Sequence, residues 1–205
     1  MSSFKLTYFP ITALAEPIRL LLAHMGIEFE DIRFDRKDWP KLIKPTMPFG
    51  QVPVLEINGK MIHQSKAICR YLAKQCGLAG RDDLEALEID ATVDTIHDLR
   101  AYIADYFYEK NEAAKNEKYK IAKEMVPYYI QRLEEQARRN KCYFVSGTLS
   151  WADITFVGLL DYMNYMMKED ILPLKYTNLN QLKSKVSSPG IDKWLKTRPP
   201  SIWEK

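Results

Sequence analysis

The chain has 205 residues, of which 46% are hydrophobic, and its formal net charge is +3. A chain of this length can form one domain or two small ones, and the composition is that of a globular protein rather than a disordered one. The mild charge, without a long Lys/Arg run, excludes the nucleic-acid-binding classes, and no apolar run approaches the roughly 18 residues that span a bilayer.

Three cysteines, Cys69, Cys76 and Cys142, are an odd number without CxxC spacing. They fit neither a disulfide framework nor a cysteine metal site. The first residues also lack an apolar signal segment. We therefore expect a reduced protein of the cytoplasm, with no nucleic-acid or membrane partner.

The first part of the chain alternates predicted strands and helices. Residues 4–8 alternate apolar and polar side chains, as a half-buried strand does. Glu16-Pro17 opens a helix with proline in its first turn, and Gly26 closes it. Residues 29–34 indicate a weaker second strand.

A hairpin and another helix follow. Residues 54–57 and 60–63 are separated by Asn58-Gly59, a strong hairpin signal because both turn residues tolerate a positive φ. The next helix is predicted over residues 65–75. The order β-α-β and then β-β-α predicts a thioredoxin-like α/β domain over residues 1–76.

The rest of the chain is predicted to be helical. Residues 77–83, with two glycines and a charge cluster, form a predicted linker to an all-α domain over residues 84–205. Apolar spacing indicates one long helix over residues 84–102 and another over residues 119–133, with Pro127 as a predicted kink.

A capping box begins a later helix. Ser150 would cap the N–H of Asp153, and Asp153 would reach back to the N–H of Ser150. We interpret this box as a folding signal and not as part of a catalytic site.

The clearest functional signal surrounds Gln64-Ser65, where a proline-bounded strand entry, a hairpin and a helix start converge. A helix start offers unpaired backbone N–H groups and the positive end of a dipole, which together favour an anion. The strand entered through Val52-Pro53 offers backbone groups to an extended peptide. This corner is suited to a small acidic peptide. On the sequence alone, a simple N-cap role for Ser65 is the stronger interpretation.

Several motifs support a family resemblance by their order and spacing. They are Lys5-Leu6-Thr7-Tyr8-Phe9, Trp39-Pro40, Lys44, Pro48-Phe49-Gly50-Gln51-Val52-Pro53, Gln64-Ser65 and Ser150-Trp151-Ala152-Asp153. The chain resembles the cytosolic glutathione transferases, in particular the sigma class, over nearly its whole length. The resemblance implies the glutathione transferase fold, with glutathione as co-substrate and no permanently bound cofactor.

The resemblance also implies residue roles. Tyr8 would be catalytic, its hydroxyl donating a hydrogen bond that stabilises the thiolate of glutathione. The implied glutathione-binding residues are Tyr8, Trp39, Lys44, Gly50, Gln51, Val52, Pro53, Gln64 and Ser65, with Asp98 from the other subunit. Hydrophobic co-substrate contacts would come from Phe9, Ala13, Leu14 and Tyr106.

Within this set, Gln64 and Ser65 would hold the γ-glutamyl carboxylate, and a cis Val52–Pro53 bond would aim the Val52 backbone at the cysteinyl unit. Trp39 and Lys44 would cover the glycyl end. Structural alternatives stay open: an ordinary trans proline, Tyr8 packed at a domain edge, Trp39 in the core, and Lys44 as a solvated charge.

Asp90, Asp94 and Asp98 form an acidic stripe at four-residue spacing on the long predicted helix. Like charges at this spacing repel by a few tenths of a kcal/mol. By resemblance, Asp98 would reach across a homodimer interface to the γ-glutamyl ammonium of glutathione. A solvated helix face is the alternative.

The sigma class includes an enzyme that synthesises prostaglandin D, and two positions of this chain depart from it. That enzyme has arginine where this chain has Leu14, and aspartate, within a cluster that binds a divalent ion, where this chain has His97. Both departures weaken an interpretation of the chain as a prostaglandin isomerase, and we expect no metal site.

We therefore predict an enzyme that joins glutathione to small hydrophobic electrophiles, with possible peroxidase activity on lipid hydroperoxides. A prostaglandin H to D isomerase is the alternative. A non-catalytic protein on the same scaffold, such as a lens crystallin or a ligand-binding protein, is an alternative of another class.

Overall fold

The computed structural model describes residues 3–202. These residues contain four strands and seven α-helices, joined in part by short helical turns. In chain order they are β1 (Phe4–Tyr8), α1 (Glu16–His24), β2 (Glu30–Arg33), β3 (Val54–Ile57), β4 (Lys60–His63), α2 (Ser65–Gln75), α3 (Asp83–Phe107), α4 (Glu112–Arg139), α5 (Trp151–Met167), α6 (Thr177–Lys185) and α7 (Pro189–Thr197). Within the described residues, no helix combines the length and the apolar character that crossing a membrane requires.

The described chain divides into two compact units. The first contains residues 3–76 and 188–202, and the second contains residues 77–187. The prediction placed residues 188–202 in the helical domain instead. The ends of the predicted domain ranges, residues 1–2 and 203–205, lie outside the described part.

The first unit is built on a four-stranded sheet in the order β2-β1-β3-β4. β1 is parallel to β2 and antiparallel to β3, and β3 pairs with β4 through the Asn58-Gly59 hairpin. The predicted β1, β3, β4 and α2 are confirmed with their bounds, while β2 is shorter than the predicted residues 29–34. Leu6 and Leu55 are paired across β1 and β3 and are fully buried, which places them in the core of this unit.

The last helix of the described chain packs against α1. A side chain at Gly190 would place its Cβ 1.8 Å from the carbonyl oxygen of Ala23. Only glycine permits this approach, and Ile191 beside it is fully buried. This contact between α1 and α7 assigns the C-terminal residues to the first unit.

The second unit contains α3 to α6. The two long predicted helices are confirmed and extend beyond their predicted ends, and α4 continues through Pro127. The predicted capping box at the start of α5 is present. The Asp153 carboxylate accepts hydrogen bonds from Ser150 N (2.7 Å), Ser150 Oγ (2.8 Å) and Phe144 N (2.9 Å). Burial of this side chain raises the pKa of Asp153 to about 6.

Candidate functional site

A cavity of about 340 Å³ lies in the first unit, beside the start of α2. The residues that line it carry no formal charge. They are Phe9, Leu14, Trp39, Gly50, Gln51, Val52, Pro53, Gln64 and Ser65. Each of them is a site residue expected from the sequence, although they come from four separate stretches of the chain.

The start of α2 forms one wall of the cavity. Gln64 occupies the N-cap position with φ 72° and ψ 101°, and its side chain forms no capping hydrogen bond within the described structure. Ser65 is the first helical residue. The interpretation of Ser65 as the N-cap is therefore wrong, because the residue before it takes that position. The first N–H groups of a helix lack intrahelical partners, so this wall suits an anion.

The segment before β3 forms another part of the cavity wall and contains two positive φ angles, 52° at Phe49 and 59° at Gly50. A Cβ at Gly50 would lie 3.1 Å from Lys44 Cε, so glycine lets the lysine stem lie against the backbone here. The Lys44 side chain is exposed and brings a positive charge beside a neutral cavity. The Val52–Pro53 peptide bond is cis, so the trans alternative is wrong.

Aromatic rings hold Trp39 in the cavity wall. Phe34 stacks on Trp39 with ring centroids 5.5 Å apart and planes at 13°. Phe9 contacts both rings, at 4.8 Å from Phe34 and 5.3 Å from Trp39. Trp39 is half-buried, so it is not a core residue. The sequence did not predict the supporting role of Phe34, whose only signal was its place as the apolar last residue of the predicted second strand.

Tyr8 and Ala13 are not among the cavity-lining residues. Tyr8 ends β1, is buried, and presents its ring edge-on to Phe9 at 5.7 Å. Ala13 is fully buried with φ 42°. Ala13 thus lies in the core of the first unit, next to the cavity-lining Leu14.

Two expected site residues lie in the second unit. Asp98 is exposed on α3. Tyr106, near the end of the same helix, contacts the ring of Tyr119 at 4.8 Å, and Lys115 Nζ lies 5.6 Å from the Tyr106 centroid. Across residues 3–202, no group of three or more His, Cys, Asp or Glu side chains is placed to hold a metal ion.

Family models match both halves of the chain. The Glutathione S-transferase, N-terminal domain, matches residues 4–74, and the Glutathione S-transferase, C-terminal domain, matches residues 97–198. The chain belongs to the glutathione S-transferase family. The family and the fold class expected from the sequence are thereby confirmed.

Individual relatives are similar over most of the chain. A glutathione S-transferase of Anopheles gambiae is 43% identical over 201 residues, which cover 97% of this chain and 98% of that protein. Glutathione S-transferase S1 of Drosophila melanogaster is 44% identical over 199 residues, 96% of this chain and 79% of that protein. The structure of prostaglandin synthase D of Nilaparvata lugens aligns with a TM-score of 0.90 at 42% identity, covering 96% of this chain and 98% of that one.

Proposed function

We propose that this glutathione transferase conjugates the thiolate of glutathione to small hydrophobic electrophiles in the manner of the sigma class. One observation carries the proposal: the neutral cavity at the start of α2 is lined by seven expected glutathione-binding residues from three stretches of the chain, with Phe9 and Leu14 of the expected co-substrate set beside them. Its size and mixed polar and apolar walls suit a tripeptide with a reactive partner beside it.

Glutathione is a small acidic peptide, and the cavity matches it at both ends. The γ-glutamyl carboxylate lies at the α2 start, where Ser65 and the first N–H groups donate to it. The glycyl carboxylate lies near Lys44 and Trp39. The strained backbone of Gln64 supports this arrangement, because left-handed non-glycine residues cluster at ligand sites.

Tyr8 activates the thiol in this proposal. A free thiol has a pKa of about 8.5, so only a few per cent is ionised near neutral pH. A hydrogen bond to a charged group contributes about 1.5–3 kcal/mol, enough to lower a thiol pKa by about one to two units. The burial of Tyr8 at the end of β1 supports this role, because water competes less for a buried hydroxyl.

The test is the Tyr8→Phe variant in a spectrophotometric conjugation assay. At pH 6.5 we expect a loss of about 10- to 100-fold in turnover, because the thiolate loses its donor, while glutathione binding is retained. Activity should return in part as pH rises, since hydroxide then ionises the thiol. Tyr128→Phe is the matched control, because Tyr128 is exposed in the second unit. Turnover of Tyr8→Phe equal to the control at pH 6.5 would rule out this role for Tyr8.

The electrophile is hydrophobic in this proposal. Phe9 and Leu14 give the cavity an apolar side. Lipid hydroperoxides share this apolar character, so peroxidase activity is proposed as well. A panel of aryl halides, alkenals and hydroperoxides identifies the preferred class, and a protein inert to all of them belongs with the non-catalytic alternative.

A prostaglandin H to D isomerase is the second candidate. The similarity to the structure of prostaglandin synthase D of Nilaparvata lugens favours it. Leu14 opposes it, because this cavity-lining residue is apolar where the resemblance places an arginine. Prostaglandin H in the same substrate panel separates the two candidates.

We also propose a homodimer in the cytoplasm. Phe49 is 84% exposed despite its apolar ring and its positive φ, which supports a partner that covers it. Free cysteines at positions 69, 76 and 142 support a reducing compartment. In the dimer, Asp98 reaches the glutathione ammonium of the other subunit.

Asp98→Ala is therefore expected to raise the Michaelis constant for glutathione several-fold while leaving turnover nearly unchanged. Asp94→Ala, one turn away on the same helix, is the control. Sedimentation that finds an active monomer at assay concentration would contradict the cross-subunit contact.

A further inference from the structure

The chain between β1 and α1 carries two residues of the cavity wall, Phe9 and Leu14. We call residues 9–15 the site loop. Its backbone is strained, because Ala13 has φ 42° in the left-handed region. A loop of this kind keeps its shape only when its surroundings hold it.

The last described residues, 198–202, run beside this loop, and we call them the C-terminal strap. Two hydrogen bonds join their backbones and side chains. Ile202 N donates to Pro10 O at 3.0 Å. Thr12 N donates to Ser201 Oγ at 3.1 Å, in a buried position where Ser201 is only 1% exposed.

A buried carboxylate anchors the strap from the other side. Glu16, 1% exposed, begins α1 directly after the site loop. Its Oε1 accepts from Arg198 Nη1 at 2.8 Å and from Trp194 Nε1 at 2.9 Å. Its Oε2 accepts from Arg19 Nη1 at 3.1 Å. A buried charge of this kind is stable only when it is paired, so the strap is fixed where Glu16 requires it.

Two arginines extend the same network. Arg19 is fully buried, and its Nη1 also donates to Ile11 O in the site loop at 2.8 Å. Asp31 accepts from Arg19 Nε at 3.0 Å and from Arg33 Nε at 2.7 Å. Arg33 Nη1 then donates to Pro199 O in the strap at 3.1 Å. The loop and the strap are thus held by one continuous set of hydrogen bonds.

We propose that the C-terminal strap positions the site loop, with Ser201 as the positioning residue, and so sets the shape of the apolar wall against which the electrophile binds. This proposal rests on the proposed function, because it assigns Phe9 and Leu14 to the electrophile. Ser201 acts through Thr12: without an acceptor the buried N–H of Thr12 is unsatisfied, and the strained loop shifts to satisfy it.

The effect should fall on the electrophile and not on glutathione. The γ-glutamyl site of the proposed function is made by Gln64 and Ser65 at the start of α2, whereas hydrogen bonds of the strap reach the site loop, Glu16 and Arg33. Loss of the Ser201 hydroxyl therefore separates the two substrates, whereas a general loss of stability would affect both.

The kinetic test compares three variants of the full chain. Ser201→Ala removes the acceptor, Ser201→Thr retains a hydroxyl, and Thr197→Ala is the control, because the exposed Thr197 hydroxyl donates within α7 to Lys193 O at 2.9 Å. We expect Ser201→Ala to raise the Michaelis constant for an aryl halide about three- to tenfold, with a change below about twofold for glutathione. Ser201→Thr and Thr197→Ala should resemble the wild type.

Amide hydrogen exchange tests the positioning without any substrate. In Ser201→Ala, peptides covering the site loop should exchange faster than in the wild type, while peptides covering β3 and β4 stay unchanged. Unchanged loop exchange overturns the proposal. So does an equal rise of both Michaelis constants, or a lowered melting temperature with both constants unchanged. A wild-type protein inert to every electrophile would overturn the proposed conjugation, and the exchange rates alone would then decide the role of the strap.

Discussion

Two helix starts in this molecule solve the same problem in opposite ways. At the start of α5, the Asp153 carboxylate accepts three hydrogen bonds from Ser150 and Phe144 inside a buried capping box. At the start of α2, Gln64 adopts φ 72°, forms no side-chain cap within the described structure, and lines a cavity. The α5 start is capped by side chains of its own box, whereas the α2 start forms part of a cavity wall.

The difference separates folding from binding. The first N–H groups of every helix need hydrogen-bond acceptors, and an acceptor that bonds to them is held at the helix start. At α5 the acceptor is Asp153, and its hydrogen bonds raise the free energy of unfolding. At α2, where the Gln64 side chain provides no cap within the described structure, the helix start suits the carboxylate of a ligand, and the positive φ of Gln64 is the conformational cost of this arrangement.

The largest expected effect follows from removing the Asp153 carboxylate at the start of α5. Asp153→Ala leaves the N–H groups of Ser150 and Phe144 buried without their acceptor, so the free energy of unfolding should fall by about 4 kcal/mol. Urea denaturation measures this. Asn111→Ala is the matched control, because Asn111 caps α4 through a single exposed bond to Ala114 N and should cost about 1 kcal/mol. Equal losses in the two variants would mean that the capping box contributes no more than an ordinary cap.

The next prediction concerns the charge of the same carboxyl. The folded pKa of Asp153 is raised by burial to about 6 from its ordinary 3.8, so the folded protein binds this proton more tightly than the unfolded chain does. The stability that protonation of Asp153 contributes is full below about pH 4 and is lost as the pH rises through 6, by up to about 3 kcal/mol.

Asp153→Asn removes this titration while keeping the shape of the side chain. The difference in unfolding free energy between wild type and variant, measured in urea at intervals from pH 4 to pH 7, should therefore shift in favour of the variant as the pH rises. A difference that stays constant across this range would mean that Asp153 titrates alike in both states.

The smallest effect is expected at the start of α2. Ser65→Ala should weaken glutathione binding by about 1.5–3 kcal/mol, because a bond to the γ-glutamyl carboxylate is lost, while the melting temperature changes little. Calorimetric titration beside a thermal melt measures both quantities. Ser184→Ala removes an exposed hydroxyl of α6 and is the control. A large melting shift with unchanged affinity would show that the α2 start serves folding after all.

Local signals in the sequence were sufficient for much of the fold. The hairpin at Asn58-Gly59, the bounds of α2 and the Ser150–Asp153 box all depend on residues close together in the chain, and all three are confirmed. The residues that line the cavity could also be predicted, because their motifs keep their order and spacing within a known family.

Contacts distant in the chain gave no such signal. The lack of a side chain at Gly190 lets α7 lie on the Ala23 carbonyl, and no pattern near Gly190 in the sequence indicates this contact. Phe34 supports Trp39 through a stacked contact that no local pattern indicates. The positive φ of Gln64 depends on the helix start and the cavity together, so Ser65 was assigned a cap that the preceding residue occupies.

The split composition of the first unit has a consequence for how the protein is made. The second unit is one uninterrupted stretch, residues 77–187, whereas the first unit also needs α7 and the strap. Domains generally fold as units during synthesis, beginning with the part that leaves the ribosome first. Here the sheet leaves first, but the first unit stays incomplete until residues 188–202 follow, after the whole second unit has emerged. The unit whose sheet is translated first is therefore completed after the second unit, and the site loop beside the cavity receives its support from the strap only then.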